Sequence, residues 1–242
     1  MPDAEGLSVL AVRGLGEIAP GDDLAAELAA CLGPAAGDAG LRDGDVLVVT
    51  QKVVSKAEGR IVALAHDDEA AKVALIESES VRVLRRRGTL LITETTHGFI
   101  CANAGIDLSN VDEGTAALLP VDPDRSARRL RADLRRSLGV DVAVIISDTF
   151  GRVWRQGVTD VAIGSAGITP VLDLRGTADA NGRILEATTV CLVDEIAGAA
   201  DLVMGKATGH PAAIVRGCPA AWLSGGSVSA DVVRAPADDL FR

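Results

Sequence analysis

Two short apolar runs constrain the fold of this chain more than any other feature of the sequence. They are VLVVT, residues 46–50, and VAVII, residues 142–146, and neither alternates apolar with polar residues. Such runs are typical of strands that are covered on both faces of a sheet. We therefore predict two interior strands, with a third strand over Ser8 to Val12. Asp148 follows the second run, at the strand end where open α/β sheets bind ligands.

Apolar residues spaced by three and four predict the helices. The predicted helices cover residues 66–88, 124–139 and about Asp194 to Met204, and another helix starts near Asp22 or Asp23. In the first helix, Arg85, Arg86 and Arg87 form a solvated basic end that suits the C-terminal dipole. In the second helix, Asp124 and Arg128 lie one turn apart and Gly139 closes the helix.

Composition excludes several classes of protein. The 242 residues carry a net charge of −10 and lack tyrosine, which disfavours a nucleic-acid partner. No apolar run reaches the roughly 18 residues that a membrane span needs, and MPDAEG at the N-terminus does not resemble a secretory signal. We expect a cytoplasmic protein without membrane contact, folded as one domain or as two closely joined subdomains over residues 1–242.

The four cysteines are far apart and form no CxxC pair. This spacing argues against a zinc site or a redox pair, so we interpret them as ordinary buried thiols.

Two carboxylates are flanked by short oxygen-bearing side chains. Asp107 precedes Ser109 and Asn110, and Asp148 precedes Thr149. Carboxylates in such surroundings suit Mg²⁺ or Mn²⁺ bound together with substrate phosphates, although an Asx-type turn explains the first group equally well.

Candidate phosphate-binding groups are less specific. Lys52 and Lys56 follow a strand and could neutralise phosphate, but no GxxxxGK[ST] motif exists, and an exposed lysine pair is the simpler interpretation. Gly14 and Gly16 begin a dinucleotide-like pattern whose third glycine comes only at Gly21. On its own, this segment is a glycine-rich turn.

Four long motifs carry a family resemblance. They are GDVLVVTQKVVSKAEGR, HGFICANAGIDLSN, ISDTFGRVWRQGVTDVAIG and DEIAGAADLVMGK, in this order. Together they resemble the coenzyme F420-0:γ-glutamyl ligase family, and the similarity runs from about Val9 to Phe241. In actinobacterial relatives, a reductase-like domain follows this one, so both a single-domain ligase and a longer protein remain open.

The resemblance implies a mixed α/β (α+β) fold with central strands and flanking helices, and a homodimer. It implies GTP as cosubstrate, L-glutamate and coenzyme F420-0 as substrates, two Mg²⁺ or Mn²⁺ sites, and K⁺. Asp107 and Asp148 match divalent-metal ligands, and Thr149 matches a residue at the second metal. The positions that match nucleotide contacts are Leu15, Gly16, Glu17, Ile18, Gln51, Lys56 and Asn110. The segment 204–211 matches a further nucleotide loop less closely.

The anionic substrates also suggest roles for residues around Asp148. We expect Arg152 and Arg155 to bind carboxylate or phosphodiester oxygens, and Lys56 to assist phosphoryl transfer electrostatically. Trp154 is interpreted as buried under its loop, in preference to stacking on the flat deazaflavin. His97 is either a base for the glutamate amine or a loop histidine bonded to the backbone. A metal-dependent phosphatase and a non-catalytic nucleotide- or deazaflavin-binding module are the alternative functions.

Overall fold

A five-stranded sheet forms the centre of the protein in the computed structural model, which describes residues 6–65, 68–109 and 112–240. Its strands, numbered along the chain and given in their order across the sheet, are β1 (Ser8–Ala11), β12 (Ala212–Arg216), β2 (Val46–Thr50), β8 (Ala143–Gly151) and β9 (Val158–Ala166). β2 and β8 run parallel, whereas the other neighbours pair antiparallel. The two non-alternating runs thus lie side by side in the interior of the sheet, as predicted.

Helices pack against this sheet. They are α1 (Leu24–Leu32), α2 (Gln51–Ala57), α3 (Glu69–Ser78), α4 (Pro123–Leu138), α5 (Leu192–Met204) and the short α6 (Val228–Asp231). α4 contacts β8, β9 and α1, while α5 contacts β1, β12 and β9. Short 3₁₀ segments lie at Pro34–Ala39, Asn103–Gly105, Ala220–Trp222 and Pro236–Asp238. The mixed α/β class, with central strands and flanking helices, is confirmed. Among the described residues, no helix has both the length and the apolar character that crossing a membrane requires.

Smaller sheets complete the molecule. One has the strand order β4 (Ser80–Arg87), β5 (Leu90–Thr95) and β6 (Ile100–Ala102), and two-stranded sheets pair β3 (Ile61–Ala63) with β7 (Thr115–Ala117) and β10 (Val171–Asp173) with β11 (Thr189–Cys191). Ile76 of α3 packs with Leu91 and Ala104 in a small cluster of its own. β6 also contacts β8, which brings the segment after β6 to the edge of the central sheet.

The ends of α1 and α4 follow the expected local chemistry. Asp23 caps α1 by accepting a hydrogen bond from the Ala26 amide, and Gly139 ends α4 in the left-handed conformation. Leu130 and Leu134 of α4 are buried, as their spacing predicted.

The helix predicted over residues 66–88 is wrong in its second half. α3 ends at Ser78, and Arg85, Arg86 and Arg87 belong to strand β4. The β-branched residues Val81 and Val83 favour a strand. Pairing with β5 then satisfies the backbone hydrogen-bonding groups of this segment. The arginines are solvated, as expected, but they do not end a helix.

Asp124 and Arg128 lie one turn apart in α4, as predicted, but Arg128 pairs with Asp122. Asp124 is only 3% exposed and accepts hydrogen bonds from the amides of Ser165, Val228 and Ser229. A buried carboxylate needs several donors, and three backbone amides provide them. Asp124 therefore joins α4 to β9 and α6.

The expected position of Asp148 also needs correction. β8 continues to Gly151, so Asp148 lies within an extended strand and not at its end. The polar residues after VLVVT form helix α2, in which Gln51 and Ser55 are buried. Pairing with β9 supplies the hydrogen bonds that let β8 extend.

The four cysteines are free thiols, and the burial expected for all of them holds fully for one. Cys101 is buried and the other three are partly buried. Burial is the main reason that the pKa of Cys101 and of Cys191 rises to about 12, so both thiols stay protonated at neutral pH.

Candidate functional site

A groove of about 820 Å³ lies at one edge of the central sheet. Four segments line it: the turn after β1, the junction of β2 with α2, the facing parts of β8 and β9, and the loop after α5. The segment after β6, with Ile106 and Asp107, closes another side. A volume of this size is in the range of small-molecule sites, and the groove is the larger of the two prominent cavities of the described chain.

The groove collects residues from distant parts of the sequence. Every described position that the resemblance matched to nucleotide or metal lines it: Leu15, Gly16, Glu17, Ile18, Gln51, Lys56, Asp107, Asp148 and Thr149. The loosely matched segment contributes seven lining residues: Met204, Gly205, Lys206, Ala207, Gly209, His210 and Pro211. Asn110 lies outside the described residues.

Asp148 carries the most unusual carboxylate of the groove. Its Oδ1 accepts a hydrogen bond of 2.8 Å from the Thr149 amide. The pKa of Asp148 is raised to about 7, mainly by burial. The charges of Asp107 and Asp160 add to the rise, while the hydrogen bond from the Thr149 amide and the charge of Lys206 oppose it. A carboxylate held among other carboxylates is compensated best by a cation.

Three residues of the groove carry oxygen ligands that suit a divalent cation. Asp107 and Asp148 offer two carboxylates, and Thr149 offers a hydroxyl oxygen. No group of three or more His, Cys, Asp or Glu side chains suited to hold a metal occurs among the described residues. Mg²⁺ is commonly bound by one or two carboxylates, with water and substrate phosphates as further ligands. The donor set therefore suits a cation that arrives with a phosphate-bearing substrate.

Three lysines place positive charge along the groove. Lys52 Nζ lies 2.8 Å from Asp107 Oδ2, and Lys56 pairs with Glu17 of the turn after β1. Lys206 pairs with Asp160 and Asp201, at 2.8 Å in both cases. The lysines at positions 52 and 56 are thus not a simple exposed pair, because both face carboxylates inside the groove.

Gln51 presents an unused donor in the same groove. Its side chain is buried, and Oε1 accepts a hydrogen bond of 2.8 Å from the Ser55 hydroxyl. Nε2 has no hydrogen-bond partner in the described part of the chain. A buried amide donor without a partner costs about 1–3 kcal/mol, so a ligand that accepts this hydrogen bond would recover that free energy.

Known proteins resemble this chain over nearly its whole length. The family model for F420-0:gamma-glutamyl ligase matches residues 14–217. The chain belongs to the F420-0:gamma-glutamyl ligase family. A protein of Methanothermobacter thermautotrophicus named coenzyme F420:L-glutamate ligase is 42% identical, with 98% of this chain and 99% of the relative covered. Relatives with the same name from Methanopyrus kandleri and Archaeoglobus fulgidus are 42% and 40% identical, covering 93% and 98% of this chain and 94% and 96% of the relatives.

The structure of this family member places the hairpin arginines outside the groove lining. Arg152 and Arg155 lie on the exposed turn between β8 and β9. The burial predicted for Trp154 is wrong, because this residue is 89% exposed and has a backbone φ of 65°. Within the described part of the chain, the indole therefore remains almost uncovered. Val158, at the base of the same hairpin, does line the groove.

His97 also lies outside the groove lining. Its Nε2 is 2.8 Å from the carbonyl oxygen of Pro120, and its ring stacks on Phe99. This is the geometry of a loop histidine bonded to the backbone, the second of the two interpretations. The role of a base for the glutamate amine is not supported by this position.

Sequence reasoning did not single out three charged residues of the groove, Asp160, Asp201 and Lys206, although Lys206 lies within the loosely matched segment 204–211. Asp160 is 2% exposed and lies opposite Thr149 in the pairing of β8 with β9. Lys206 follows the end of α5, just after Gly205. A single carboxylate directly before the mainly apolar segment VAIGSA, residues 161–166, was the available signal for Asp160, since buried acids are rare without a partner.

Proposed function

We propose that this protein attaches L-glutamate to coenzyme F420-0 in a GTP-dependent reaction that releases GDP and phosphate. The observation that carries the proposal is the common groove of Asp107, Asp148, Lys56 and the turn 15–18. Their positions match the metal- and nucleotide-contacting residues of the family. The relatives named coenzyme F420:L-glutamate ligase support the same reaction.

The chemistry requires activation of a carboxylate, because amide formation from a carboxylate and an amine is unfavourable in water. A terminal carboxylate oxygen of coenzyme F420-0 attacks the γ-phosphorus of GTP, and the bond from that phosphorus to the GDP oxygen breaks. The glutamate amine then attacks the acyl carbon of this acyl phosphate. The C–N bond forms, the C–O bond to phosphate breaks, and the amine loses a proton.

The groove residues have separate tasks in this reaction. Lys52 and Lys56 supply positive charge near the transferred phosphate, and Gln51 Nε2 donates to the nucleotide. Two Mg²⁺ or Mn²⁺ ions, held with the help of Asp107, Asp148 and Thr149, would neutralise charge on the phosphate oxygens. Most of the rate enhancement then comes from positioning and electrostatics. K⁺ remains part of the proposal through the family resemblance alone.

Arg152 and Arg155 are proposed to bind the anionic groups of the acceptor substrate or of glutamate. The hairpin that carries them starts from the groove, since Val158 lines it and pairs with Gly151. Guanidinium groups bind carboxylates and phosphodiesters through paired hydrogen bonds. In an acidic protein, such local positive charge is needed to hold anionic substrates.

We also propose that the protein acts in the cytoplasm as a homodimer. The hairpin tip exposes Val153 and Trp154, at 70% and 89%, and Val158 at its base is 61% exposed. Exposed apolar side chains grouped on one projecting hairpin are typical of a protein contact. A second copy of this chain is the partner that the family resemblance implies.

The test is incubation with coenzyme F420-0, L-glutamate, GTP and Mn²⁺, followed by product mass and GDP release, for wild type and Asp148→Asn. We expect a mass gain of one or more glutamyl units that requires GTP and is lost in the variant. GDP release without mass gain would indicate a phosphatase-like activity instead. Nucleotide binding with neither product would indicate a binding module.

A further inference from the structure

Asp160 is a buried carboxylate that organises one wall of the groove. Its side chain is 2% exposed and accepts three hydrogen bonds from side chains. Ser147 Oγ donates at 3.0 Å, Thr149 Oγ1 at 2.6 Å and Lys206 Nζ at 2.8 Å. Lys206 is the cation paired with it among the described residues.

The ammonium of Lys206 uses all three of its donors in the groove. It contacts Thr149 Oγ1 at 2.6 Å, Asp160 Oδ1 at 2.8 Å and Asp201 Oδ1 at 2.8 Å. Its own side chain is 53% exposed, so the ammonium lies at the boundary between the protein and the open groove. Burial lowers the pKa of Lys206, but the hydrogen bonds to the two carboxylates outweigh burial and raise it overall. The ion pairs with Asp160 and Asp201 hold the positive charge of Lys206 at this wall of the groove.

The two carboxylates that hold Lys206 differ in how easily they can release it. Asp201 is 23% exposed and can exchange the ammonium for water. Asp160 is 2% exposed, and loss of its cation would leave a buried charge without compensation. An incoming anion can thus replace Asp201 as a partner of Lys206, while Asp160 keeps the ammonium in place.

We propose that Asp160 is a positioning residue that fixes Lys206 for contact with the phosphate groups of the nucleotide. Resting on the function proposed above, the proposal assigns the phosphate contact to Lys206, within the loosely matched segment 204–211, and Asp160 acts through Lys206. Asp201 is the partner that Lys206 gives up when phosphate binds.

Titration of inorganic triphosphate with Mn²⁺, followed by calorimetry, tests this role without the ligase reaction. The variants are Asp160→Asn, Lys206→Met and the double variant, with thermal unfolding as a check that each is folded. We expect each single variant to bind roughly tenfold more weakly or worse, the loss of about one charge-assisted contact. The double variant should bind no more weakly than Lys206→Met, since Asp160 acts through Lys206. Asp201→Asn should bind as well as wild type or better.

Two comparisons separate this role from a structural one. Lys206→Arg should recover part of the affinity if a cation is needed, and Asp173→Asn, which removes an exposed ion pair with Arg175, should change nothing. Additive losses in the double variant, normal affinity of Asp160→Asn, or a wild type that does not bind triphosphate would overturn the proposal. If Asp160→Asn does not fold, unchanged triphosphate binding by Lys206→Met would overturn the proposal.

The ligase assay tests the proposed function independently of this binding experiment. If the protein shows this pattern of triphosphate binding but forms no glutamyl product, the positioning role of Asp160 stands and the proposed function is refuted. If the protein forms the glutamyl product but the two substitutions weaken triphosphate binding additively, the proposed function stands and the positioning role of Asp160 is refuted.

Discussion

The ammonium of Lys52 lies 2.8 Å from Oδ2 of Asp107, and this contact joins helix α2 to the segment after β6. The Ser109 amide and hydroxyl both donate to the other carboxylate oxygen, at 2.7 Å each. Burial alone would raise the pKa of Asp107, but the hydrogen bonds from Lys52 and Ser109 outweigh burial and lower it. The free energy that this pair contributes should therefore depend on pH.

Lys52→Met should destabilise the protein by about 1 kcal/mol at pH 7. A carboxyl group whose folded-state pKa is depressed stabilises the fold above its unfolded pKa, and this stabilisation is lost as the pH falls through the folded-state pKa. The difference in melting temperature between wild type and variant should accordingly shrink below about pH 4. Thermal unfolding in EDTA measures it. Lys72→Met, which removes a lysine without an ion pair in the described residues, should show no such trend.

Asp148→Asn should behave in the opposite way. The pKa of Asp148 is raised to about 7, so the folded protein holds a proton that the unfolded chain releases near pH 4. Wild type then loses stability as the pH rises from about 4 to about 7, by on the order of 3 kcal/mol. The amide of the variant resembles the protonated acid and avoids this loss. In EDTA, the variant should melt above wild type at pH 8 and near wild type at pH 4, and equal differences at both pH values would contradict the prediction.

Trp154→Ala should weaken the proposed dimer while leaving the fold of the single chain almost unchanged. The side chain is 89% exposed, and substitutions at such sites usually change folding stability by less than about 0.5 kcal/mol. Loss of a large aromatic anchor at a protein contact typically costs about 2 kcal/mol or more of association free energy. Sedimentation equilibrium of both proteins measures the dissociation constant. Val121→Ala is the control, because Val121 is also exposed, at 72%, but does not belong to the hairpin.

Asp124→Ala should destabilise the protein by roughly 3 kcal/mol or more. The substitution leaves the buried amides of Ser165 and Val228, together with that of Ser229, without their acceptor. Asp122→Ala removes the N-cap of the same helix and an exposed ion pair of 3.8 Å with Arg128, and it should cost about 1 kcal/mol. Urea denaturation compares the two variants, and an equal loss in both would refute the anchoring role of Asp124.

Sequence patterns correctly predicted the elements that are stabilised by residues close together in the chain. VLVVT and VAVII form interior strands, Gly139 ends α4, and Asp23 caps α1. Local patterns failed where distant partners decided the outcome. Val81 and Val83 extend a strand because β5 lies beside them, and Asp124 serves three amides that lie 41 to 105 residues away.

The same division applies to the groove. The sequence by itself determined the family and the matched positions, because long motifs such as ISDTFGR and HGFICANAGIDLSN are written in consecutive residues. Only the tertiary structure decided that Asp160 holds Lys206, 46 residues away, and that Trp154 is exposed on its hairpin. Charge pairing and burial depend on which surfaces the fold brings together, and the spacing of residues along a chain does not contain that information.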